Sequence, residues 1–193
     1  MPLPWNYPVL CDENPDCVCD VPAPLTDFDG SRYMGTWYEA VHTLGMPFQN
    51  DSQTCITAQY RDLTDEGHFK VYNSGQPADL GSRSGIHGRV KCPDETGGCY
   101  VIFFTPYTDD PNYIVIDTDY ESYSLVYSCH SAEYPVLWVL TREPYMPQAQ
   151  YEGLLVRAAY LLPDFDFQKL GERTVEGDMC TYAPLPENYA ALQ

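Results

Sequence analysis

The residues of this chain best able to do chemistry are its eight cysteines and four histidines. The cysteines stand at Cys11, Cys17, Cys19, Cys55, Cys92, Cys99, Cys129 and Cys180. Thiols can hold a metal, attack a substrate or pair as disulfides. Metal binding fits poorly: Cys17-Val-Cys19 is too tight for a zinc knuckle, no Cys-x-x-Cys pair exists, and His42, His68, His87 and His130 are scattered. An even number of cysteines spread along the chain points instead to disulfides and an oxidising compartment, so a secreted, extracellular protein is expected. The triplet Asn50-Asp51-Ser52 is a glycosylation sequon, which agrees with secretion. Neither a Gly-x-Ser-x-Gly elbow nor a P-loop is present, so the familiar hydrolase and nucleotide chemistries have no residues to work with.

The chain is 193 residues long, enough for one ordinary domain. Hydrophobic residues make up 44% and charged residues 20%, so a packed core is affordable and disorder is not expected. Lys and Arg number 10 against 28 Asp and Glu, a net charge of -18. A phosphate backbone would be repelled, which excludes nucleic acid as a partner, and an anionic membrane surface is disfavoured likewise. No stretch approaches the roughly 18 apolar residues of a membrane helix, so no membrane insertion is expected. The first residues, MPLPWNYPVLC, lack a basic region and a continuous apolar run and do not read as an intact signal peptide; a mature N-terminus with an added Met is the expectation.

The elements that must position these residues are mostly strands. Tyr numbers 17, Pro 17 and Gly 13, a composition of strands and turns. Residues 1–27 are Pro-rich and acidic and read as a disulfide-tied arm. Residues 28–183 read as one barrel domain with a helix and tail, and 184–193 as a flexible C-terminus. Short alternating runs predict strands near 35–45, 54–61, 67–74, 83–91, 99–105, 112–118, 122–129 and 134–142. One helix is predicted, opened by Pro147, carrying Tyr151, Leu154, Leu155, Ala158, Ala159 and Leu162 at helical spacing and stopped by Pro163. The reading is an all-β fold: an eight-stranded antiparallel up-and-down barrel with one C-terminal helix packed outside.

Three segments carry a resemblance. Phe28-Asp-Gly-Ser-Arg-Tyr-Met-Gly-Thr-Trp-Tyr-Glu contains Gly35-Thr36-Trp37; Thr118-Asp119-Tyr120 precedes Leu125-Val-Tyr-Ser-Cys129; and Leu137-Trp-Val-Leu-Thr ends at Arg142. In this order and at these separations they resemble the three lipocalin motifs, over about residues 19–183. Within that family the chain looks most like the apolipoprotein D, bilin-binding and crustacyanin branch. The resemblance implies a barrel plugged at one end by Gly35, Trp37 and Arg142, with the guanidinium over the indole; these residues then report fold, not catalysis.

The resemblance also implies disulfides Cys55–Cys180 and Cys19–Cys129, with Cys17 as the alternative to Cys19. Cys92 and Cys99 flank an acidic turn and can staple one hairpin, which leaves Cys11–Cys17. If arm and tail run outside, Cys55 and Cys129 face out, and alternation turns Ile56, Ala58, Tyr60, Ser124, Val126 and Ser128 inward. Counting from the plug, Glu39 and Val41, then Leu140, Trp138, Val136 and Tyr134, also face in. Comparison with the family adds Phe69, Val71 and Asn73, then Ile86 and Gly88, then Tyr100, Ile102 and Phe104, then Tyr113 and Val115. His87 is expected outside. Phe48 and Gln49 fall in the first loop, at the open end.

A pocket so lined takes a mostly apolar molecule with one or two oxygen functions. The candidate contacts are Glu39, Phe48, Tyr60, Phe69, Val71, Asn73, Tyr100, Ile102, Phe104, Tyr113, Val126, Tyr134 and Trp138. The resemblance supplies three ligand classes: a keto-carotenoid of the astaxanthin type, biliverdin, or a sterol, retinoid or fatty acid. The carotenoid ranks first because no Lys or Arg falls on a predicted inner face to receive propionates or a carboxylate. Eight strand residues span about 26 Å, so so long a ligand would protrude, and a homo-oligomer, at least a dimer, is expected to cap it. The enzymatic branches of the family would need a free thiol or paired carboxyls in the pocket; every Cys has a partner and Glu39 stands alone, so no enzyme is expected. A different class of reading is a protein-interaction or defence role with an empty pocket.

Overall fold

The computed structural model describes residues 21–46, 48–104, 111–129, 135–173 and 179–182. Eight antiparallel strands close into one barrel in sequence order: β1 (Gly35–His42), β2 (Gln53–Arg61), β3 (His68–Pro77), β4 (Ser84–Lys91), β5 (Gly98–Ile102), β6 (Tyr113–Thr118), β7 (Tyr123–Cys129) and β8 (Pro135–Thr141). β1 pairs with both β2 and β8, so the sheet has no edge along this seam. A one-turn helix α1 (Gly30–Tyr33) precedes β1, and α2 (Gln148–Leu161) follows β8. No helix among the described residues is long and apolar enough to cross a membrane.

Each helix has a local cause. The Asp29 carboxylate accepts from the Ser31 and Arg32 amides and so caps α1. α1 drops Tyr33 into the closed end of the barrel, where it is 1% exposed. α2 buries Tyr151, Leu154 and Ala158 on the outer face of the sheet, against Ile114, Ile116, Leu125, Leu137 and Val139. Arg157 of α2 bonds the Asp117 carboxylate, which also accepts from the Tyr123 hydroxyl at 2.7 Å. A second, inner core fills the barrel with Tyr33, Trp37, Tyr60, Phe69, Val71, Val90, Val115, Val126 and Leu140.

Two disulfides lie wholly within the described residues: Cys55–Cys180 and Cys92–Cys99. The first ties the tail to β2. Arg83 reinforces it, donating to the Thr181 carbonyl at 3.0 Å, the Cys55 carbonyl at 2.8 Å and the Ser74 hydroxyl at 2.8 Å. Cys129 is disulfide-bonded to a residue outside the described set, where Cys11, Cys17 and Cys19 also lie.

Two strand faces differ from the sequence reading. In β1 the register shifts between Glu39 and Val41, a β-bulge. The extra residue turns Val41 outward into the core beneath α2 and brings His42 opposite Trp138, onto the inner face. In β5 the pairs Val90↔Val101 and Arg89↔Ile102 place Val101, not Ile102, on the side of the inward Val90. Cys99, Val101 and Phe103 therefore join the inner core, while Tyr100, Ile102 and Phe104 belong to the outer phase; Phe104 is 77% exposed. The Phe103 ring fills the space left by Gly88, where an added Cβ would stand 2.8 Å from it. A phase error of one residue moves every side chain of a strand to the other face, and a five-residue strand has few residues to correct it.

Candidate ligand site in the barrel

The floor of the site is the plug. Trp37 is fully buried, and its indole N–H donates to the Tyr33 carbonyl at 2.9 Å. The Arg142 guanidinium lies 3.7 Å from the Trp37 ring centroid and donates to the carbonyls of Tyr120, Thr36 and Arg32 at 2.9, 3.0 and 2.7 Å. One cation thus stacks on an aromatic face and satisfies three backbone acceptors, which a lysine cannot do. Gly35 adopts φ +100°, and a side chain there would meet Arg142 Nη1 at 3.3 Å.

Above the plug lies a layer of phenols. The Tyr60 hydroxyl donates to Tyr113 at 2.8 Å; Tyr113 and Tyr33 hydroxyls are 3.1 Å apart, and Tyr33 reaches Ser124 Oγ at 2.9 Å. β2 and β6 stand opposite each other in an eight-strand ring, so the Tyr60–Tyr113 bond crosses the lumen. Burial pushes all three phenols up, Tyr33 to about 12, so the layer is neutral in ordinary buffers. Trp138 stacks on Tyr113 with ring centroids 6.5 Å apart, toward the open end.

The polar end of the lumen is built by the bulge and the first loop. Glu39 is 5% exposed, and its carboxylate receives His42 Nδ1 at 2.6 Å and Gln49 Nε2 at 2.9 Å to both oxygens. Gln49 Oε1 accepts from the Trp138 indole N–H at 3.3 Å. The loop is thereby latched across β1 and β8. Asp51 anchors it further by accepting the Gly45 amide at 3.0 and 3.1 Å. Burial works against the His42 imidazolium, but the hydrogen bond and charge of Glu39, with Asp51, outweigh it and raise its pKa above the ordinary value. His42 Nε2 is buried, lies 3.7 Å from Asp51 Oδ1 and has no hydrogen-bond partner among the described residues. Asn73 Oδ1 and Ser128 Oγ, both on the inner face, are also buried without a partner.

The chain matches the family described as a lipocalin-like domain over residues 28–174. The chain belongs to the lipocalin family. It is 34% identical to apolipoprotein D of Rattus norvegicus over 135 residues, 67% of this chain and 68% of that protein. Among solved structures it resembles insecticyanin from the tobacco hornworm Manduca sexta, with TM-score 0.67 and 22% identity, covering 86% of this chain and 91% of that one. Lobster apocrustacyanin A1 aligns with TM-score 0.59 and 19% identity, over 84% of this chain and 95% of that one. Those two likenesses are at the level of fold.

Of the residues singled out in the sequence, this lipocalin brings Glu39, Tyr60, Phe69, Val71, Asn73, Tyr113, Val126 and Trp138 to its inner face. Phe48 approaches Trp138 at 6.3 Å between ring centroids. Tyr60 and Tyr113 use their hydroxyls on each other, so they serve as a floor more than as polar points for a ligand. Tyr134 lies outside the described residues. His42 was missed, because simple alternation from Trp37 turns it outward and nothing in the local sequence marks the bulge. A cleft of about 610 Å³ beneath the barrel floor, lined by Asp27, Asp29, Asp65, Glu66 and Glu95, is acidic and lies beyond the plug; no metal-binding cluster is found among the described residues.

Proposed function

We propose that this lipocalin carries a small, mostly apolar ligand in the barrel, with an oxygen-bearing end hydrogen-bonded near His42. The observation that carries the reading is a pair of buried polar atoms on the inner face, Asn73 Oδ1 and Ser128 Oγ, without hydrogen-bond partners among the described residues, together with His42 Nε2, which has Asp51 Oδ1 at 3.7 Å but no hydrogen bond. A buried polar atom without a partner is destabilising by about 1–3 kcal/mol, so such atoms on the inner face favour a molecule that supplies hydrogen bonds. A hydroxyl satisfies either kind of atom, and a carbonyl accepts from His42 or Ser128.

The sharper reading is a keto-carotenoid of the astaxanthin type, held for colour or protection and secreted with its carrier. It is supported by the aromatic walls and by the absence of any Lys or Arg on the inner face of the described strands, which leaves the propionates of biliverdin no such side chain to pair with. From Val71, level with Tyr60, β3 rises to Pro77, about 20 Å. A carotenoid resting on the phenol layer would therefore project from the mouth, where a second copy would cover it. A sterol or retinoid, being shorter, would fit with less projection. Catalysis forms no part of the proposal.

The test is solvent extraction of protein purified from its natural source, read by visible absorption and mass spectrometry. A carotenoid whose band shifts on release supports the sharper reading. A colourless sterol or retinoid keeps the carrier reading and discards the pigment. Protein without a stoichiometric small molecule, and without affinity for any of these compounds, overturns both in favour of an interaction role.

A further inference from the structure

We propose that Asn50 is an N-glycosylation site on the lip of the barrel. Asn50-Asp51-Ser52 is the one Asn-x-Ser/Thr triplet in the sequence. The structure makes it usable. All three residues are exposed, whereas Gln49 before them and Gln53 after them are half-buried. Asn50 is exposed to solvent, while Gln49 before it turns in to Glu39.

The local geometry engages one side of the Asn50 amide. Its Oδ1 accepts from the Ser52 backbone N–H at 3.0 Å and from Ser52 Oγ–H at 2.9 Å. The Asn50 carbonyl accepts from the Gln53 amide at 2.9 Å and closes the turn. The sequon hydroxyl is thus already turned onto the carboxamide it must assist, and Nδ2 lies on the opposite side of that planar group. The Asp51 carboxylate is bonded to the Gly45 amide, so it is held back against the loop. Disulfides show that the chain matures in an oxidising compartment, where such modification takes place.

The step balances simply. Asn50 Nδ2 forms a bond to C1 of the first sugar of a lipid-diphosphate-linked oligosaccharide. The C1–O bond to the diphosphate breaks, the diphosphate leaves with the electron pair, and Nδ2 gives up one proton. The sugar then extends from an exposed turn and leaves the Gln49–Glu39 latch in place. A second copy capping the mouth must leave this lip uncovered. The proposal does not depend on which ligand the barrel holds.

The test is expression of the full chain with a secretory leader in animal cells, with intact mass measured before and after peptide-N-glycosidase F. The expected result is a fall in mass by one core glycan, with Asn50 converted to Asp in the released peptide. Ser52→Ala and Asn50→Gln should abolish the shift, and Ser52→Thr should keep it. Correct Cys55–Cys180 linkage in each variant shows that it folds. Secreted wild-type protein whose mass does not change, or a shift that survives both Ser52→Ala and Asn50→Gln, overturns the proposal.

Discussion

His42→Leu is the most informative single change in the barrel. It removes one partner of a buried pair: Glu39 and His42 side chains are 5% and 7% exposed and 2.6 Å apart. Glu39 would keep the Gln49 amide but lose its charged partner. Stripping one member from a buried ion pair typically destabilises by about 3–5 kcal/mol. Gln49 offsets part of this, so a loss of about 3 kcal/mol at pH 6 is expected. The double variant Glu39→Gln/His42→Leu, which buries no charge, should recover at least half of that loss. Urea unfolding with the disulfides intact measures both, provided the slope against denaturant is unchanged. The pH dependence has a fixed sign. The His42 pKa is raised on folding, so its contribution is complete below the unfolded value of about 6.5. It disappears as pH rises through the folded value. Wild type should therefore lose stability as pH rises through this range relative to His42→Leu. A single variant within about 0.5 kcal/mol of wild type, far below the buried-pair range, or a double variant no better than the single, would refute the claim that the pair is buried and charged.

Three further outcomes are expected. Asn73→Ala and Ser128→Ala should each weaken a hydroxyl- or keto-bearing ligand by about 2–10-fold, the size of one neutral hydrogen bond, in titrations following Trp138 fluorescence; unchanged affinity for both would remove them from the site. Arg142→Lys should lower stability by about 2 kcal/mol through loss of the stack and of two or more carbonyl bonds, read by thermal unfolding, while leaving ligand affinity nearly unchanged. Replacing Cys55 and Cys180 together by Ser should destabilise by about 2–4 kcal/mol, and unreduced peptide mapping of wild type should show these two residues linked.

The relation of sequence to site is visible residue by residue. Trp37 and Arg142 were legible from short motifs and the strand order from alternation and turns, while the Cys55–Cys180 bond was legible as what the resemblance to lipocalins implies. Phe69, Val71 and Tyr113 were legible through the resemblance to the family, and Trp138 by counting back from Arg142 along a strand that alternates. Val41 and β5 were not. A bulge adds one residue without any required residue type, and the short β5 allowed Tyr100, Ile102 and Phe104 to be placed in the wrong phase.

By itself the sequence determined a barrel with a plugged floor, an outer helix, an acidic surface and an apolar lumen. The helix, the acidity and the alternating strands follow from periodicity and charge, and the plugged floor from the resemblance carried by three short motifs, all of them properties of the chain read in one dimension. Only tertiary structure decided where the lumen is polar. His42 enters through a register shift, Gln49 folds in from a loop, and Tyr60 meets Tyr113 across the ring. Those contacts join residues from different strands and loops, and the distances between them are set by barrel closure and strand register.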